Sequence, residues 1–65
     1  MSPSMIFREL SVIFPEFKIR KYGRVDDHTI WFERDGVNGR SLFTLEQKTY
    51  ILKEERKNES TKIHS

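Results

Sequence analysis

LEQKTYILKEERKN, residues Leu45–Asn58, is the stretch on which the fold turns, and two patterns overlap in it. Thr44-Leu45-Glu46-Gln47 matches a capping box, in which a threonine hydroxyl and a glutamine side chain satisfy the first amides of a helix. Glu46, Gln47, Lys48, Lys53, Glu54, Glu55, Arg56 and Lys57 are good helix formers, and Leu45, Thr49, Leu52 and Arg56 would share one seam. The mixed charges of Lys53, Glu54, Glu55 and Lys57 suit a solvated helix face. Against this, Thr49, Tyr50 and Ile51 prefer strands, and Tyr50 and Leu52 alternate with Thr49 and Ile51. The first pattern predicts a helix from about Leu45 to Asn58, and we take it as the expectation. The second predicts a fourth strand in its place.

Upstream the signals are simpler. Ile6, Phe7, Leu10, Ile13 and Phe14 recur at spacings of three and four, the stripe of an amphipathic helix. Ser2 or Ser4 can cap it and Pro3 suits its first turn. Pro15 has no amide hydrogen and disfavours helical geometry at Phe14, so the helix should end near Ile13. From Glu16 to Val25 the period changes to two: Phe17, Ile19, Lys21, Gly23 and Val25 would face one way, Lys18, Arg20, Tyr22 and Arg24 the other. Asp26-Asp27 is turn chemistry, and Thr29-Ile30-Trp31-Phe32-Glu33 is dense in β-branched and aromatic residues. Asp35-Gly36-Val37-Asn38-Gly39 tolerates positive φ and reads as a reversal leading into a third strand, Arg40–Thr44.

The expected architecture is α+β: an N-terminal amphipathic helix on a three-stranded antiparallel meander, then a C-terminal helix or fourth strand. Residues 1–58 form one domain and 59–65, with almost no apolar content, a flexible tail. Phe7, Leu10, Phe14, Ile19, Ile30, Phe32, Leu42 and Leu52 are the expected core, at roughly 1.5–3 kcal/mol each before entropy is subtracted. Trp31, Tyr22, Phe43 and Tyr50 are left over, more than so small a core needs on one side, and a partner or a second copy would cover them.

Composition closes off several classes of protein. Sixty-five residues, 35% apolar and 34% charged, leave room for one domain. A chain this short buries only about 60% of its unfolded surface, and without cysteine it has no disulfide to compensate. The longest apolar runs, Val12-Ile13-Phe14 and Ile30-Trp31-Phe32, fall far short of the about 20 residues of a membrane span. Met1–Met5 lacks the pattern of a signal peptide, so a cytoplasmic protein is expected. A net charge of +2 from 12 basic and 10 acidic residues is too mixed for a polybasic protein. No cofactor or metal is expected. Gly36–Ser41 lacks the Gly-Lys-Ser/Thr ending of a phosphate loop, and Asp26, Asp27, Glu33 and Asp35 do not follow a calcium-loop spacing.

What remains is basic residues interleaved with aromatics. Lys18, Arg20, Tyr22 and Arg24 on the first strand and Trp31 and Arg34 on the second are the candidate binding residues. If Ile30 and Phe32 face the helix, Trp31 faces away, on the side the alternation assigns to Lys18, Arg20, Tyr22 and Arg24. Rings that stack on unpaired bases beside cations that neutralise phosphates would bind RNA or single-stranded DNA. The simpler account is a Tyr22–Trp31 cross-strand pair covered by its neighbours. Trp, Tyr and Arg also dominate protein interfaces, so a larger protein partner is the alternative. Small cysteine-free chains of this kind are common in phages and mobile elements, where they act as accessory proteins.

His28 opens the second strand directly after Asp26-Asp27, and a carboxylate beside an imidazole can orient it as a general base. A surface histidine in a turn is the simpler expectation. The order helix, hairpin, strand, helix, with a basic loop and a histidine at the start of strand two, resembles the HicA-type ribonuclease toxins over about Phe7–Thr44. The resemblance implies a double-stranded-RNA-binding-like fold and a ribonuclease whose histidine is His28. Where that family carries Gly-Ser before the histidine, this chain has Asp26-Asp27. The expectation is therefore a non-enzymatic regulatory binding module, with a His28-dependent ribonuclease ranked third.

Overall fold

Thr29–Arg34 (β2) is the strand around which the rest is arranged, hydrogen-bonded along both edges, with Ile30 and Phe32 buried on one face and Trp31 between them on the other. The structure, a computed structural model, describes residues 1–47 and 49–55. The helix Pro3–Ile13 (α1) precedes four strands, Ile19–Arg24 (β1), β2, Arg40–Glu46 (β3) and Thr49–Glu55 (β4). The strands form one antiparallel sheet in the order β1-β2-β3-β4, an uninterrupted meander. The chain is thus α+β, as expected. Among the described residues no helix is long and apolar enough to cross a membrane. The expected tail, 59–65, and the last residues of the expected domain lie outside the described residues.

α1 begins and ends where its chemistry dictates. Ser2 sits in extended geometry and its hydroxyl accepts from the Met5 amide at 3.4 Å, while Pro3 occupies the first helical position. The Phe14 amide still donates to the Leu10 carbonyl at 2.8 Å, and Pro15 then turns the chain, with the Phe17 amide donating to the Phe14 carbonyl at 3.1 Å. α1 packs on β2 and β1, sending Ile6 and Leu10 onto Ile30 and Phe32. Ile6, Leu10, Ile30, Phe32 and Phe43 are wholly buried and Leu45 nearly so. Aromatic contacts bind this core to its rim: Phe7 stacks on Tyr22 at 4.5 Å, Phe14 on Phe17 at 4.7 Å, and Phe14 meets Tyr50 edge-on at 5.6 Å.

The turns follow the local sequence. Between β1 and β2 the Asp26 carboxylate accepts the His28 amide at 2.8 Å, and the Asp26 and Val25 amides donate to the Thr29 carbonyl. The His28 amide, and after it the Thr29 hydroxyl, hold the Asp26 carboxyl below its ordinary range. Asp35 and Gly36 make the next turn, closed by the Val37 amide on the Arg34 carbonyl at 3.2 Å, with Gly36 at φ 78°.

Three expectations are corrected. Residues 49–55 are strand, not helix: β4 pairs with β3 over seven registered positions, Arg40↔Glu55 to Glu46↔Thr49, and sets Leu52 against Phe43 and Tyr50 against Leu45. A lone helix would satisfy its own amides, but a strand also satisfies the outer edge of β3, and that tertiary gain outweighs propensity. Second, the side chains of β3 have the opposite parity to that expected: Phe43 and Leu45 enter the core with Ser41, and Leu42 faces away from α1. Third, β1 does not alternate cleanly. Ile19 pairs with Arg34 and Lys21 with Glu33, so Arg20 is an extra residue and everything after it turns over by one position.

The β3–β4 reversal has two residues between the paired Glu46 and Thr49, and Gln47 takes a positive φ of 52° there. An L side chain in that region costs about 1–2 kcal/mol, part of which glycine returns as unfolded-chain entropy. Gln47→Gly is expected to raise the free energy of unfolding by about 0.5–1 kcal/mol, read as a higher urea midpoint at an unchanged denaturant slope.

Candidate ligand-binding face

Among the described residues, strand alternation leaves one whole face of the sheet without a covering layer. Along β2, Ile30, Phe32 and Arg34 point to α1, and Thr29, Trp31 and Glu33 point away. The pairings extend this open face: Gly23, Trp31, Leu42 and Lys53 lie in one cross-strand row, Lys21, Glu33 and Arg40 in the next, and Thr29, Thr44 and Ile51 in a third. The Thr29 and Thr44 hydroxyls bond across the strands at 2.9 Å.

Trp31 is the centre of this face, and it is built in. Its indole lies over Gly23, so close that a Cβ at that position would stand 2.5 Å from the indole Nε1. On the ring's face lies the Arg40 guanidinium, 4.0 Å from the centroid. Arg40 cannot swing freely, because its Nε donates to the Glu33 carboxylate at 3.2 Å. Glu33 also draws in Arg20 at 3.6 Å and Lys21 at 3.8 Å, so three cations converge on one carboxylate that is only 17% exposed. The Arg40 hydrogen bond, assisted by the charges of Lys21, Arg40 and Arg20, holds the Glu33 carboxyl below the usual glutamate range, while desolvation opposes it. The guanidinium groups of Arg40 and Arg20 and the ammonium of Lys21 still meet water, each side chain being more than half exposed.

The expected residues divide between the two sides of the sheet. Arg20 and Trp31 stand together on the open face, as alternation from Ile19 expects, and the bulge brings Lys21 to the same side. Tyr22 does not join them; its ring is stacked on Phe7 on the helix side. Arg24 pairs with Ile30 on that same side and binds Asp27 at 2.6 Å. Arg34 is likewise on the helix side, its Nη2 on Glu54 at 2.9 Å and its guanidinium over Phe17 at 4.2 Å. Lys18 precedes β1 and lines a shallow depression of about 230 Å³ with Arg34, Glu16, Phe17, Asp35 and Val37. The shared face of Lys18, Arg20, Tyr22, Arg24 and Trp31 is therefore corrected: the extra residue at Arg20 sends Tyr22 and Arg24 to the other side.

Lys21, which the alternation assigned to the other side, joins the open face with Gly23, Glu33, Arg40 and Lys53, which were not candidate binding residues from sequence. One signal pointed to Arg40: a six-residue connection, 34–39, sets it across from Glu33, a charge pair at cross-strand distance. His28 is exposed in the β1–β2 turn, its amide given to Asp26 and its carbonyl accepting from Leu45. Among the described residues no group of three or more His, Asp or Glu side chains could hold a metal ion. The chain matches no protein-family model, no curated protein and no solved structure. The helix that closes the order of elements in the HicA-type resemblance is replaced here by β4.

Two outcomes follow. Gly23→Ala drives a methyl group into the indole and is expected to cost about 1–3 kcal/mol of stability by urea unfolding; adding Trp31→Ala should return part of that loss. Glu33→Gln is expected to lower stability at neutral pH. Because folding lowers the pKa of Glu33, its contribution is present above the unfolded value of about 4.3 and disappears as pH falls through the folded value, so the two unfolding curves should converge on acidification.

Proposed function

We propose that the protein is a non-enzymatic binding module whose open sheet face takes single-stranded nucleic acid, RNA before DNA. The observation that supports this most is the Trp31–Arg40 stack on the uncovered face. A guanidinium held over an indole, with its Nε on Glu33, offers its outer side to an unpaired base at a reduced cost in side-chain ordering. Arg20, Lys21 and Lys53 share this face and would neutralise phosphates beside the base. Glu33 keeps the cations from repelling one another when the face is empty. The cysteine-free composition suits the reducing cytoplasm, where this reading puts the protein.

The second reading, an accessory protein of phage or mobile-element type that docks on a larger protein, draws on the same face. Leu42 lies beside Trp31 across the strands, and a protein partner would use that apolar pair rather than the cations.

Titrating a fluorescent oligouridine at several salt concentrations separates the readings. Three phosphate contacts should give a slope of about −2.1 in log affinity against log salt. Arg40→Ala should weaken binding roughly tenfold or more, whereas Arg24→Ala, which removes the same charge from the helix side, should leave it nearly unchanged. Equal losses for the two variants, or no binding at low salt, would overturn the nucleic-acid reading. Cleavage of the oligonucleotide that disappears in His28→Ala would replace it with a ribonuclease.

A further inference from the structure

The two edges of the sheet are unlike each other. β1 is interrupted by its bulge and carries Arg20, Lys21 and Arg24, features that deter another strand from pairing. β4 pairs with β3 without a register shift, and among the described residues nothing pairs with its outer edge. It also holds two adjacent large apolar side chains in water, Tyr50 at 46% and Ile51 at 59% exposure, one on each face of the sheet. On the helix side α1 packs over β1 and β2, which leaves Tyr50 and Leu52 at the margin of the core.

We propose that β4 is a self-pairing edge, and that two copies of the chain join through antiparallel β4 strands into a continuous eight-stranded sheet. The chemistry of the strand itself selects the partner. A two-fold axis perpendicular to the sheet must bring like faces together, so a residue lies on the axis and the register can shift only in whole steps. With Ile51 on the axis, Ile51 meets Ile51 of the second copy, Tyr50 meets Leu52 twice, and Thr49 meets Lys53 twice; each of the three apolar side chains then faces another apolar one. With Leu52 on the axis, Ile51 faces Lys53 and Tyr50 faces Glu54. With Lys53 on the axis, two ammonium groups collide. Of these three registers only the one centred on Ile51 sets each apolar side chain against another, a self-complementarity that a second copy uses and an unrelated protein does not require.

A single strand-to-strand contact is small for a specific interface, so a dissociation constant in roughly the micromolar range is expected. Sedimentation of the full chain without nucleic acid reads the dimer independently of the ligand proposed above. Ile51→Lys sets like charges across the axis and should weaken association about tenfold or more while leaving the circular dichroism spectrum intact, Ile51 being mostly exposed. Mixing the Ile51→Lys and Ile51→Glu chains should restore a dimer containing one of each. A wild-type chain that is monomeric at about 500 μM overturns the proposal, as does a dimer that Ile51→Lys leaves unchanged. If Ile51→Lys unfolds the chain, the mixture decides: a refolded mixed dimer supports self-pairing through β4, and no recovery overturns it.

Discussion

Every strand of this sheet takes its orientation from the alternation of β2. Ile30 and Phe32 are drawn under α1, and because the strand period is two, Trp31 and Glu33 have to stand on the opposite face. β1 and β3 are paired to β2, and β4 to β3, so that one choice is passed across all four strands. Burial of two large side chains beneath a three-turn helix thereby determines where a tryptophan and a carboxylate meet water. The core and the candidate binding face are two consequences of a single strand.

The bulge at Arg20 modifies this rule in one place. Without the extra residue Tyr22 would stand beside Trp31, and Gly23 would lie toward the helix. With it, Tyr22 stacks on Phe7 and closes the core, while Gly23 comes under the indole and allows the ring to lie down on the sheet. The tryptophan then presents a face rather than an edge, and Arg40 occupies it. A local irregularity in hydrogen bonding has exchanged an aromatic pair for an aromatic–guanidinium pair.

Charge on the open face is arranged around Glu33 rather than spread evenly. Three cations share one carboxylate, a geometry in which each exposed ion pair adds little stability alone but the group fixes the direction of Arg40. The helix side uses its charges differently. Arg34 is folded over Phe17 and tied to Glu54, and Arg24 is tied to Asp27, so both are occupied within the chain. The formal charge of +2 conceals this asymmetry, because it counts residues and not faces.

Local chemistry was legible in the chain. Pro3 and Pro15 bound the helix, Asp26 makes its turn through its own carboxylate, Gly36 takes a positive φ, and the three-and-four spacing of Ile6 and Leu10 marks the stripe that is buried. Each of these acts over a few residues, so a short window of sequence contains its cause. The α+β class and the outward direction of Trp31 follow from the same short-range patterns. What only the tertiary structure decided depends on partners distant in sequence. Thr49–Glu55 is a strand because β3 offers an unpaired edge, although Lys53, Glu54 and Glu55 favour a helix. The inserted position at Arg20 is visible only once Ile19 and Lys21 are set against Arg34 and Glu33. The meeting of Gly23, Trp31, Glu33 and Arg40 draws on three strands, and a parity error of one residue in any of them would have separated it, because strand side chains reverse sides at every step.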